Sequence, residues 1–178
     1  MNNREELILH TYKNLAEIYS LTGQYEQAMD YYNIISEQFN EQMFSLMRIA
    51  DIYEKQAEYD NALKALNSAE KYLTDAKKDN KYDFYKYYIA KSWIHTNQGE
   101  LDKAERELRK VLSELQNDDY EKEDDVLTYV YSTKAEISYN RGDYQKAIEN
   151  YERAIEYVDE EKDFTSTAVL NANMAKVY

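Results

Sequence analysis

The sequence predicts an all-α fold built from antiparallel helix pairs, and three observations carry that prediction. Pro is absent and Gly occurs three times in 178 residues, too few turn residues for a β-rich or loop-rich chain of this size. Leu, Ala, Glu, Lys, Gln and Tyr dominate, a composition that favours helix. One phrase also recurs: TGQYEQAMDYYNII (22–35), QAEYDNALKALNSA (56–69), QGELDKAERELRKV (98–111) and RGDYQKAIENYERAIEY (141–157). In its last copy the apolar residues Tyr144, Ala147, Ile148, Tyr151, Ala154 and Ile155 share one face of a helix.

The elements follow in order. A first helix over 5–21 carries Leu15, Ala16 and Tyr19 and ends at Gly23. A second, 25–39, opens on Tyr25 and continues through Ala28, Tyr32 and Ile35. The third, 41–56, holds Leu46, Ile49, Ala50 and Tyr53 and stops at Ala57. The fourth, 59–78, holds Tyr59, Ala62, Leu66 and Ala69. Helices over 82–98 (Tyr88, Ser92) and 101–116 (Leu101, Ala104, Leu108, Val111) flank Gly99. Helices over 123–140 (Tyr131, Ala135) and 144–159 flank Gly142. The ninth, 164–178, reads as a further first helix, with Met174, Ala175 and Tyr178 in the places of Leu15, Ala16 and Tyr19.

Gly23, Ala57, Gly99 and Gly142 occupy one position in four copies, spaced by 34, 42 and 43 residues. Here the first helix of each pair ends, where a left-handed backbone is cheapest without a Cβ. Seven residues earlier stand Ala16, Ala50, Ser92 and Ala135, and five residues later Ala28, Ala62, Ala104 and Ala147. Small side chains at both places permit close helix crossings, and larger neighbours fill the remaining space. The longer spacings place extra residues near 72–84 and 114–127. QNDDYEKEDD there is polar enough for a turn, and it lacks the order of an EF-hand loop.

The chemistry of the chain is mostly a set of exclusions. It carries 22 basic and 35 acidic side chains, a net charge of −13. That argues against nucleic acid, where affinity comes from cations on phosphates, and against an anionic membrane. No apolar run approaches a membrane span, and the N-terminus lacks the features of a signal peptide. Without Cys there is no disulfide or thiolate metal site. His10 and His95 lie far apart with no partner at metal-binding spacing. No phosphate-cradling Gly-rich loop exists, and the abundant carboxylates form no specific acid/base pair. The expectation is a cytoplasmic, non-catalytic protein without cofactor or metal.

The repeat resembles the tetratricopeptide repeat family. The phrase is nearly complete in the first copy, as Tyr12, Leu15, Ala16, Tyr19, Gly23, Tyr25, Ala28, Tyr32 and Ile35. It recurs in the second (Leu46, Ile49, Ala50, Tyr53, Ala57, Tyr59, Ala62, Leu66, Ala69) and fourth (Tyr131, Ala135, Gly142, Tyr144, Ala147, Tyr151, Ala154). The third copy is weaker: Tyr88, Ser92, Gly99, Leu101, Ala104, Leu108 and Val111. Lys91 and Lys134 replace the family's Leu, and His95 and Ser138 its Tyr. The resemblance implies a right-handed superhelical α-solenoid over 1–178, with repeats at about 9–42, 43–84, 85–127 and 128–167 and an incomplete fifth at 168–178. It also assigns many of the 20 Tyr to packing. A fifth first helix without its partner reads as a piece of a longer protein or a fragment that pairs with something, and implies self-association through the C-terminal helix.

In the resembling family first helices line a concave groove. Carried over residue by residue, the groove set is Lys13, Asn14 and Glu17; Phe44, Met47, Arg48 and Asp51; Trp93 and Asn97; Tyr129, Glu136 and Asn140; and Asn173, with His10, Lys86, Ile89, Ala90, Ser132, Thr133 and Lys176 beside them. Trp93, the only Trp, would anchor a ligand, and the Asn amides can bond both groups of a peptide backbone. The family's two-carboxylate clamp is absent, since Glu17 and Ala90 stand where it has Asn and Arg. Two functions remain open. One is a protein- or peptide-binding scaffold whose partner is neutral or basic. The other is the sensory region of a larger bacterial signalling protein, a kinase, phosphatase or transcription regulator, that binds a signal peptide.

Overall fold

A computed structural model describes residues 2–75, 81–117, 124–158 and 164–177. Among these the regular elements are helical and none is a strand. The helices are α1 (Asn3–Leu21), α2 (Tyr25–Phe39), α3 (Gln42–Lys55), α4 (Tyr59–Ala69), α5 (Lys81–Asn97), α6 (Leu101–Asn117), α7 (Asp124–Asn140), α8 (Tyr144–Glu156) and α9 (Phe164–Ala175). They form two compact units, Met1–Phe84 and Tyr85–Tyr178. In the first, α1 packs with α2 and α3 with α4, while α2 also lies on α3. In the second, α7 packs with α8, α6 lies on α7 and α9 on α8.

Local chemistry sets the ends. α1 starts two residues before its apolar periodicity because Asn2 Oδ1 accepts from the amides of Arg4 (3.1 Å) and Glu5 (3.0 Å), and the Glu5 carboxylate accepts from the Asn2 amide. Four first helices end in one geometry. Gly23, Ala57, Gly99 and Gly142 have φ of 76°, 58°, 75° and 79°. The next amide in each case bonds back to the carbonyl of Tyr19, Tyr53, His95 or Ser138 at 2.8–2.9 Å, the closure of a left-handed helix cap. The helix predicted over 59–78 is interrupted after Ala69 by a 3-10 turn over Glu70–Tyr72 and is helical again at 73–75. The expected turn within 118–123 and the place of Tyr178 lie outside the described residues.

The small residues do what their spacing predicts. Ala28, Ala62, Ala104 and Ala147 are wholly buried, as are Ala16, Ser92 and Ala135, and Ala50 nearly so. Ser92 Oγ donates to the Ala104 carbonyl at 2.8 Å, so at this crossing the two small positions touch. The core of the first unit gathers Leu9, Ala16, Ala28, Tyr32, Ile35 and Ile52. In the second, one cluster comprises Ala135, Tyr151, Ala154 and Leu170.

Two features depart from an internal repeat. Ile52, Ile94 and Ile137 are buried at equivalent places, whereas their counterpart Ile18 is 55% exposed. Leu7 and Leu21, on the same face of α1, are exposed too. On α9, Met174 was expected to face an open groove. It is instead half-buried against the cluster around Tyr151 and Leu170, because the preceding helix α8 covers it. The exposed apolar positions of α9 are Ala168, Val169, Ala172 and Ala175.

Candidate functional site

In the first unit the structure brings five of the sequence-predicted site residues into one network. Phe44 on α3 is central. Its ring meets Tyr32 edge to face, with centroids 6.1 Å apart. Lys13 Nζ lies 4.3 Å from the Phe44 centroid and the Arg48 guanidinium 5.6 Å, both within reach of the ring's negative face. Lys13 also pairs with Glu41 at 3.2 Å and Arg48 with Asp51 at 3.3 Å. Glu17 on α1 is a charged neighbour of the Tyr32 hydroxyl. Phe44 is therefore explained in part by packing, since it lies against the core of the unit. Met47 is half-buried and shares α3 with this cluster.

Tyr32 was read from the sequence as core, and so was Tyr151. The structure gives both a second role. Tyr151 donates from its hydroxyl to Glu136 Oε1, and Tyr32 has Glu17 as a charged neighbour. The spacing is the same in both copies, a Glu on the first helix and a Tyr fifteen residues later on the second. Each phenol is almost completely buried. Burial first, then the charges of Glu17 and Asp51 opposed by Arg48, pushes the Tyr32 hydroxyl up to about 12. Burial and then the Glu136 carboxylate hold Tyr151 higher still. Both hydroxyls thus stay protonated at neutral pH, and that of Tyr151 holds the Glu136 carboxylate on the first-helix face. In the third copy Trp93 occupies the position of these acids and Leu108 that of the Tyr.

The remaining site residues are placed separately. Trp93 on α5 is half-buried, and Tyr129 on α7 is 50% exposed. Ile89 and Thr133, also carried to the groove by the resemblance, are buried. The four Asn residues do not form one ladder. Asn97 and Asn140 are the exposed last residues of α5 and α7. Asn14 is exposed on α1, at the position where Thr133 is buried on α7. Asn173 is half-buried and its amide oxygen accepts from Lys176 at 2.8 Å. Among the described residues no group of His, Asp and Glu is arranged to hold a metal ion, and no helix is long and apolar enough to cross a membrane.

Four sequence profiles described as tetratricopeptide repeat match the chain, over residues 11–34, 44–72, 85–114 and 128–160. Each match spans parts of one helix pair, and together they cover more than half of the sequence. No curated protein matches the chain.

Proposed function

Because the chain belongs to the tetratricopeptide repeat family, whose repeats generally mediate protein–protein interactions, we propose that it is a non-catalytic cytoplasmic scaffold binding a neutral or basic peptide segment along its first helices. The observation that carries this reading is the Tyr151–Glu136 contact, with Glu17 beside Tyr32 at the same spacing in the first copy. Glu136 is oriented by the buried Tyr151 phenol, so less conformational freedom is lost when a cationic side chain or backbone amide meets it. Trp93 on a first helix between Glu17 and Glu136 in sequence supplies an aromatic anchor, and such residues often dominate an interface. The net charge of −13 favours encounter with cationic partners. The uncharged exposed positions of α9, Val169 among them, support the further reading that the chain self-associates through this helix.

The test is a peptide-library screen with the intact chain, repeated with Trp93→Ala, Glu136→Gln and Glu149→Lys. Loss of about 2 kcal/mol is expected for Trp93→Ala, a smaller loss for Glu136→Gln, and none for Glu149→Lys on the exposed side of α8. Full affinity in the first two variants with loss in the third would move the binding face to the second helices.

A further inference from the structure

We infer that a cleft between α6 and α7 is a binding site for a carboxylate carried on a short aliphatic stem, separate from the first-helix face. The cleft has a volume of about 260 Å³, the space of roughly nine waters. Its apolar wall is Leu108, Leu112 and Ile137, and its polar edge is Arg109 and Lys134.

The cleft exists because the fourth copy departs from the second. At the places of Ile49 and Tyr53 stand Lys134 and Ser138. Ile49 packs against the core of its unit, whereas Ser138 withdraws a phenol's volume and Lys134 puts an ammonium beside the gap. The Ser138 hydroxyl donates to the Lys134 carbonyl at 2.9 Å, so its contribution is space. Neither change improves the fold: a half-buried cation in place of a hydrocarbon is a cost unless something pairs with it.

Among the described residues no carboxylate lies within ion-pair distance of Lys134. Its ammonium lies 5.2 Å from the Tyr131 ring centroid, and the Arg153 guanidinium lies 5.6 Å from the same ring. The one acid in the wall, Glu105, is engaged by Arg141, which also holds Asp102 at 2.8 Å. Lys134 and Arg109 therefore put two cations on the edge of this cleft in a chain of net charge −13. Burial first, and then the neighbouring Arg153, disfavour the charged ammonium of Lys134, with Glu105 opposing them, and an incoming anion would favour the charged form further. The apolar wall next to this cation selects against a bare inorganic anion and for one with a hydrocarbon tail, a stem of four or five carbons filling the volume. Such a group occurs as a free short-chain carboxylate or as the terminal residue of a chain ending in Leu.

The experiment is titration of the ¹⁵N-labelled intact chain with hexanoate, hexanol and hexylamine, followed by amide shifts. Hexanoate is expected to bind with a Kd of about 20 mM or tighter, the ligand-efficiency floor for eight heavy atoms, moving the amides of Lys134, Ile137 and Ser138. Hexanol and hexylamine should bind at least about tenfold more weakly, and Lys134→Gln should weaken hexanoate by a similar factor. Ser138→Tyr restores the side chain found at Tyr53, keeps the cation, and should abolish binding by filling the cleft. Arg109→Gln, at an exposed position, should weaken hexanoate without touching the fold. A short peptide ending in Leu, compared with its C-terminal amide, separates the two sources: tighter binding of the free acid than of hexanoate identifies a chain terminus, and the reverse a small molecule. No shift with any carboxylate, equal binding of hexylamine, or undiminished binding by both Lys134→Gln and Ser138→Tyr would overturn the inference.

Discussion

Replacing Ala57 by Gly should stabilise the protein. Of the four equivalent first-helix ends, Ala57 is the one that holds a side chain in the left-handed region, with φ of 58°. Crowding of a Cβ against the following carbonyl there costs about 1–2 kcal/mol. Gly removes that strain but adds about 0.4–1 kcal/mol of unfolded-chain entropy. The balance is a gain of about 0.5–1 kcal/mol, or roughly 1–4 °C in melting temperature for a chain of this size. The reverse change tests the same account. A Cβ built on Gly23 meets nothing within 4 Å, so Gly23→Ala should cost only the conformational difference, about 0.5–1 kcal/mol. Thermal and urea unfolding followed by far-ultraviolet circular dichroism measures both. A loss of stability in Ala57→Gly, or a loss above about 2 kcal/mol in Gly23→Ala, would mean that contacts rather than backbone strain govern this turn.

Ala147 is wholly buried, so Ala147→Leu should overpack α7 against α8 and cost about 1–3 kcal/mol in urea unfolding; an unchanged midpoint would contradict the close crossing. Tyr32 has a folded pKa raised from 10.0 to about 12, so the stability it contributes is complete below pH 10 and lost as pH rises through 12. The fall in urea midpoint between about pH 9 and pH 12 should be smaller in Tyr32→Phe than in the native protein, by on the order of 2 kcal/mol. His95 is held below its ordinary value by burial, which outweighs its contact with Glu100. Its contribution is therefore present above pH 6.5 and lost as pH falls below it, and His95→Gln should flatten the decline in stability on acidification.

The fold was legible because its signals are local. Turn chemistry at Gly23 and small residues at Ala16 and Ala28 need only their own neighbours in sequence to be recognised. The break after Ala69 was not, because the 3-10 turn over Glu70–Tyr72, after which the chain is helical again at 73–75, is not encoded in the apolar pattern. At the candidate site, Glu17 and Phe44 were placed correctly on the first helices, but the role of Tyr32 and Tyr151 was hidden. A Tyr at a packing position looks the same whether or not its hydroxyl finds a carboxylate, as that of Tyr151 does, and only the matched Glu–Tyr spacing in two copies carried a hint of it. Exposure of Ile18 was likewise invisible, since its sequence environment equals that of the buried Ile52 and only the absence of a covering helix among the described residues distinguishes them.

That uncovered stripe on α1 has a consequence for how the protein behaves as a colloid. Leu7, Thr11, Asn14, Ile18 and Leu21 are all exposed and none is charged, although about a third of the chain is. Copies meeting through this stripe, or through the uncharged positions of α9, are kept apart chiefly by the charge of −13 carried on the other surfaces. The Debye length falls from about 30 Å at 0.01 M salt to about 3 Å at 1 M. Salt should therefore promote association, the opposite of its effect on an assembly held by ion pairs, and Leu7→Lys with Ile18→Lys should keep the protein monomeric in light scattering at both ionic strengths.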